Sequence, residues 1–258
     1  VTVPASVRPW RSSDAPVLLA ASADPELARQ FGGVRFDDVA AAEAFIGATY
    51  RFDGHARYWA IVADVADVAD VADAADVADV ADGRAGSVGA EGLGGAGARV
   101  VGCVGVTAIE HTHGTAWISY WLTPEARGRG MATRALAAAA EDAFALGLHR
   151  LELGHRTNNP ASCAVATRAG FRAEGVEREK LRYGDDRFDV ETHARLATDP
   201  TPDTVPLARD PASPPPRDPS SPLPRDPASP PPRDPSSPLP RDPASPPPRD
   251  PADARRGA

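Results

Sequence analysis

The stretch Ser119-Tyr-Trp-Leu-Thr-Pro-Glu-Ala-Arg-Gly-Arg-Gly-Met-Ala-Thr-Arg-Ala-Leu136 constrains the fold more than any other part of this sequence. Tyr120, Trp121 and Leu122 end an apolar strand, a glycine-rich turn follows, and an Ala/Leu-rich helix begins directly behind it. A strand that feeds a helix in this way belongs to a layered domain of the α/β or α+β kind. The turn also has a chemical consequence. Small residues let an anion come close to the backbone, and the first amides of a helix lack intrahelical partners and lie at the positive end of its dipole. The pattern Arg127-x-x-Gly130-x-Ala132 therefore reads as a pyrophosphate cradle built from Arg127, Gly128, Arg129, Gly130, Met131 and Ala132, mostly through N–H groups, with the Thr133 hydroxyl beside it. The plain alternative is an ordinary turn that carries surface arginines.

Composition divides the rest of the 258 residues. Two segments, 63–98 and 199–258, are low in complexity, and what remains within 1–198 has the size of one compact domain. From Ala63 to Asp82 the chain runs in Ala-Asp-Val triplets, with Ala74 in place of one Val. A period of three suits neither strand nor helix, and on a helix successive Asp residues would rotate by about 60° and smear their charge around the surface. With the glycine-rich stretch that follows, it reads as an expansion in a surface hairpin turn. Its regular spacing does not suit a calcium loop. From Asp199 onward an Arg-Asp-Pro octapeptide repeats, too proline-rich for helix or sheet and too polar for a core. A disordered, polyproline-II-like tail is expected there, solvated or serving as a Pro-x-x-Pro ligand.

The net charge of −8 misleads, because seven Asp lie in 63–82 without a base and the tail from Thr201 balances eight Asp with eight Arg. The remainder is nearly neutral, which gives no support to nucleic-acid binding. Cys103 stands in a hydrophobic run and Cys163 on an expected helix, neither in a metal-ligand spacing. Two buried free thiols and no metal are expected. No stretch is apolar enough to span a membrane and no signal-peptide core opens the chain, so no membrane partner and a cytoplasmic location are expected.

Patterning predicts a short strand at Val7–Trp10, a helix capped by Asp14, a helix over Asp38–Tyr50, and strands at 57–62, 99–109, 116–122 and 149–154. The helix after the glycine-rich turn should stop at Gly147. Another should start at Asn159 or Ser162 and end near Gly170-Phe171, before a closing hairpin of 178–183 and 188–196.

Several of these blocks, in this order, resemble the GNAT family of N-acetyltransferases. Val7-Arg8-Pro9-Trp10 matches its opening, Arg127-x-x-Gly130-x-Ala132 its acetyl-CoA loop, and Asn159-Pro-Ala-Ser162 with Ala169-Gly-Phe171 and Glu174-Gly175 its later block. Tyr120-Trp-Leu122 and Ile109-Glu110 are similar to the RimJ/RimL-like, ribosomal-protein-alanine acetyltransferase branch. The resemblance implies a mixed, mostly antiparallel sheet with helices on both faces and two splayed parallel strands, here 116–122 and 149–154. Acetyl-CoA would be co-substrate, its pantetheine arm inserted in the splay against the backbone of Trp121, Leu122 and Thr123, with the N–H of Leu122 or Thr123 polarising the thioester carbonyl. Asn159 would touch the arm, and Ser162 would bond or protonate the CoA sulfur. Either also serves as a helix cap. Ala166 stands where many members have an acidic Tyr. Glu110 would be the general base through water, or else a solvated strand-end carboxylate, and His111 and His113 could help or simply belong to a polar turn. The acceptor cleft would come from 20–60 and 180–190. The implied activity is acetyl transfer to a primary amine, favoured as a protein N-terminus, with a ribosomal protein as one candidate. Open beside it stand a small-molecule amine, a CoA-binding module without turnover, a tail that carries the function, and a homodimer.

Overall fold

The computed structural model describes residues 5–30, 34–64 and 98–209. The Ala-Asp-Val expansion beyond Asp64 and the octapeptide repeats beyond Arg209, expected to be a surface insert and a disordered tail, lie outside the described residues.

Eight strands form one sheet: β1 (Ala5–Pro9), β2 (Arg57–Asp64), β3 (Ala98–Glu110), β4 (Thr115–Leu122), β5 (Arg150–Arg156), β6 (Arg172–Tyr183), β7 (Asp186–Leu196) and β8 (Ala208–Arg209). Their spatial order is β6-β7-β5-β4-β3-β2-β1-β8. Neighbours are antiparallel except β4 with β5 and β1 with β8. β2 and β3 pair up to Asp64 and Ala98, so the insert leaves from a hairpin end as its composition suggests, with Ala63, Asp64 and Ala98 inside the ladder.

Five helices complete the described chain: α1 (Ala15–Ala23), α2 (Pro25–Gln30), α3 (Val39–Thr49), α4 (Met131–Ala145) and α5 (Pro160–Arg168). Strand alternation gives the sheet two apolar faces. On one, α4 and α5 cover Ile61, Val104, Ile118 and Leu151. On the other, α1 to α3 cover Ala60, Cys103 and Trp121. The α4 side chains facing the sheet are largely alanine, among them Ala135, Ala139, Ala140 and Ala143, all buried. Such short side chains let the helix lie close to the strands that lead into its start.

Three expectations change. Asp14 does not cap α1 through its side chain. Its carboxylate takes two 2.7 Å bonds from the Arg8 guanidinium and one of 2.9 Å from Arg11 N, because a buried carboxylate is held better by a buried bidentate cation than by one helix amide. α2 was not signalled by periodicity. It is a single short helix set off by Asp24, whose Oδ1 accepts from Leu27 N at 3.4 Å. The boundary expected at 198 moves outward. Leu207 is buried in the α4-side core, Thr204 Oγ1 donates to Arg168 O at 2.7 Å, and β8 joins β1. Arg209 pairs with Asp142, which also binds Arg57 at 2.9 Å. The proline-rich composition of 199–209 hides one apolar anchor and one buried ion pair.

Candidate functional site

β4 and β5 pair only over Thr115–Trp117 and Arg150–Glu152, and beyond that they part. Thr123 N donates to Val101 O at 2.9 Å, which makes 123 and 101 a hydrogen-bonded pair of the antiparallel ladder. Alternation then turns the N–H and C=O of Leu122 and Tyr120 away from β3 and into the open seam. Thr123 is thereby excluded as a carbonyl-polarising amide, since its N–H and its hydroxyl, at 3.2 Å, are both spent on Val101 O. Leu122 keeps that geometry. The Trp121 side chain lies on the opposite face, 6.1 Å from the Trp10 ring, and by the same alternation its backbone N–H and C=O face β3 rather than the seam.

At the end of β4 the chain makes the helical turn Pro124–Ala126 and enters the glycine loop. Gly128 and Gly130 have φ of +74° and +72°, a left-handed conformation that glycine adopts without strain. A Cβ at Gly130 would meet nothing within 4 Å, so the space beside this position is open. The first α4 hydrogen bond is from Arg134 N to Gly130 O at 3.1 Å, which leaves the amides of Met131, Ala132 and Thr133 ahead of it. The side chains of these three residues are buried, so what they present is backbone. They border a cavity of about 360 Å³ together with Arg127, Gly128 and, from α5, Arg168. Arg127 Nε donates to Leu122 O at 3.3 Å, which ties the loop to the strand end. Arg129 is not part of this lining.

Asn159 caps α5, its Oδ1 accepting from Ser162 N at 3.1 Å, and Asn159 and Ser162 both border the cavity. Ala166 is fully buried in the core, away from the cleft. Sequence reasoning missed Tyr120, whose hydroxyl donates to Ser162 O at 3.3 Å across the seam. Burial raises its pKa, so the phenol keeps its proton. The signal was present in strand parity, which puts Tyr120 on the same side as Leu122.

A second cavity of about 220 Å³ adjoins the first and is bordered by Trp117, Ser119, Gly154, Arg156, Leu181 and Tyr183, among others. Lys180 Nζ lies 5.3 Å above the Trp117 ring, and the Arg156 guanidinium lies 5.5 Å from Tyr183 and 5.1 Å from Phe188. Leu181 and Tyr183 come from the expected 180–190 segment, whereas no described residue of 20–60 borders this cavity. One wall of this cavity therefore comes from β6.

Glu110 is not brought to the cleft. Its carboxylate accepts from Thr112 N at 2.8 Å and His113 N at 2.6 Å, closing the turn between β3 and β4. Its ladder partner Thr115 stands a whole strand, roughly 23 Å, from Leu122. His111 joins the same turn, Nε2 lying 2.8 Å from Gly54 O. Cys103 is buried, accepts from Trp10 Nε1 at 3.3 Å, and has its thiol pKa pushed up to about 12 by burial. Cys163 is only half-buried, and with His155, Glu191 and His193 it brings four metal-ligating atoms within 4.8 Å of one another.

No helix among the described residues is long and apolar enough to cross a membrane. A family model described as an acetyltransferase (GNAT) domain matches residues 6–172. The ribosomal-protein-serine acetyltransferase of Escherichia coli is 34% identical over 98 residues, covering 38% of this chain and 55% of that protein. The chain thus spans about half the length of that curated relative. Among solved structures, Mycobacterium smegmatis RimJ in complex with CoA-disulfide aligns with a TM-score of 0.53 at 23% identity, over 76% of this chain and 85% of that one. The spermidine N-acetyltransferase of Vibrio cholerae, in complex with CoA and spermine, aligns with a TM-score of 0.55 at 16% identity, over 76% and 97%. At these identities the structures speak for the fold.

Proposed function

The chain belongs to the GNAT acetyltransferase family, and from that premise we propose that it moves the acetyl group of acetyl-CoA directly onto a primary amine. One observation carries this reading: the residues ahead of the first helix hydrogen bond border a cavity beside a strand edge that has lost its neighbour. A diphosphate fits the first and an amide-bearing arm the second. The amides of Met131, Ala132 and Thr133, with Arg127, would hold the phosphate charge. Leu122 N–H is placed to stabilise the oxygen that becomes negative as the amine attacks. Ser162, or the protonated Tyr120 beside it, would supply a proton to the departing sulfur, and Asn159 would steady the arm. No carboxylate borders the described acceptor cavity, and the imidazole that does, His155, has its two ring nitrogens engaged by Arg156 O and by His193 and Glu191, so the amine's proton passes to water. Holding the two reactants in line supplies much of the acceleration.

Two relatives' names point to different acceptors, a ribosomal protein and spermidine. Arg156 borders the acceptor cavity and no carboxylate does, whereas Lys180 nearby is paired with Glu177, so it is Arg156 that disfavours a second or third positive charge on the acceptor and favours a single amine on an otherwise neutral or acidic chain, as at a protein N-terminus. The test is thiol release from acetyl-CoA with peptides of varied N-termini, monoamines and spermidine. Peptide acetylation that exceeds spermidine acetylation is expected. A preference for spermidine would overturn the acceptor, and CoA binding without release on any amine would overturn the enzyme.

A further inference from the structure

Beside the cleft, β5, β7 and α5 converge on four side chains, of which only His155 also borders the acceptor cavity. His155 and Glu191 face each other across the β5–β7 ladder, His193 lies beside them on the same face, and Cys163 comes down from α5. His155 Nε2 is 3.0 Å from His193 Nε2, and Glu191 Oε2 is 3.3 Å from the first and 3.1 Å from the second. Both imidazoles are buried, while Cys163 and Glu191 are half-buried.

The outer nitrogens decide the protonation. His155 Nδ1 stands 3.0 Å from Arg156 O, and His193 Nδ1 stands 3.3 Å from Phe171 O. A carbonyl can only accept, so each Nδ1 carries its proton, and in a neutral ring each Nε2 then carries a lone pair. Two lone pairs 3.0 Å apart, with a carboxylate oxygen beside both, repel unless a cation lies among them. Nδ1–H bonded to a backbone carbonyl is also how metal-bound histidines are oriented.

We propose that His155, Cys163, Glu191 and His193 form a closed, four-ligand site for a zinc-class divalent cation. Two imidazole nitrogens, a sulfur and a carboxylate oxygen suit a tetrahedral ion of intermediate softness. A tetrahedral zinc with nitrogen ligands sets an N···N edge of about 3.3 Å, a few tenths beyond the 3.0 Å here, so the two imidazoles need only ease apart, while the widest separation in the group, within 4.8 Å, has to close by rotation of the half-buried side chains. Binding releases the Cys163 proton, and the thiolate and carboxylate then neutralise the ion, which makes its burial tolerable. Three elements would be joined at one point, and Cys163 immediately follows Ser162, so the ion would fix the start of α5 at the cleft. The ligands lie 8, 28 and 2 residues apart in sequence, which is why no local spacing announces them.

The test uses the full chain, stripped with chelator, and titrated with Zn²⁺ against an indicator and with Co²⁺ as a spectroscopic probe. One equivalent per chain is expected, with a thiolate-to-cobalt charge-transfer band and tetrahedral d–d bands. Cys163→Ser should abolish that band, and it and Glu191→Gln should each weaken binding about 10–100-fold, no less than the loss of an outer partner costs a metal site. His193→Ala should abolish binding, and His113→Ala, in the distant turn, should leave it intact. Circular dichroism checks that each variant folds, and Cys163→Ser changes one atom at a half-buried position. Absence of stoichiometric binding, a cobalt spectrum without the thiolate band, or binding indifferent to Cys163→Ser and Glu191→Gln would overturn the site and leave a shared proton as the cation between the rings.

Discussion

The seam between β4 and β5 is closed at one end and open at the other, although the same two strands form both. At the closed end Thr115–Trp117 exchange ladder bonds with β5. The adjoining turn is satisfied from within, its Thr112 and His113 amides taken by Glu110. At the open end Tyr120 and Leu122 turn their polar backbone towards a cavity, and the helix start behind them adds three residues to its border whose amides precede the first helix bond. A backbone group left without a protein partner is costly unless water or a ligand supplies one. The contrast separates the hydrogen bonds that hold the domain from those kept back for a binding partner.

Substitutions along the seam can break that contrast. The largest effect should come from Gly130→Glu, which adds bulk and negative charge on the open side of the loop. CoA affinity by calorimetry should fall about 100-fold, or about 2.7 kcal/mol, in a protein that still folds. Unchanged affinity would mean that the amides serve something else. Next, Gly154→Ala puts a Cβ 2.8 Å from Val190 Cγ1 and 3.2 Å from Trp117. Urea unfolding should show a loss of about 1–3 kcal/mol from this overpacking, together with a higher acceptor KM. A smaller change is expected for Tyr120→Phe, with kcat lowered about tenfold, near 1.4 kcal/mol, and CoA affinity nearly preserved. A normal kcat would leave Ser162 as the proton donor.

The smallest effect belongs to the closed end. The His113 and Thr112 amides bind the charged form of Glu110 and hold its carboxyl below the ordinary carboxylate range. Its stabilisation is therefore whole above the unfolded-state pKa and is lost as the pH falls through the lowered folded value. Glu110→Gln should lower Tm slightly at neutral pH, with the two proteins converging in acid, and should leave thiol release unaltered. A slowed reaction with a changed pH profile would restore Glu110 as the base.

The sequence made the α/β framework legible where local rules govern. The Arg127–Ala132 loop needs small residues at fixed positions, and the Asn159 cap and the strand parity of β4 are equally local. Glu110 misled because a strand-end carboxylate looks the same whether it faces a cleft or its own turn. Asp14 misled because a cap and a buried ion pair both call for an acid at a helix start. Parity places Tyr120 on the side of Leu122, but its meeting with Ser162 depends on where β4 and β5 part, and the His155–Cys163–Glu191–His193 group depends on which strands become neighbours, so neither contact is written in any short window. Leu207 was hidden by the prolines around it.

That last residue has a bearing on one edge of the sheet. β1 is five residues long, and without β8 its outer rim would be a row of bare amides and carbonyls, open to any passing strand. The two residues of β8, pinned by Leu207 and the Arg209–Asp142 pair, act as a seal on that rim. Cutting the chain where the repeats seem to begin, at 199, would peel the seal away and invite molecules to stack edge to edge. A cut after 209 would keep it.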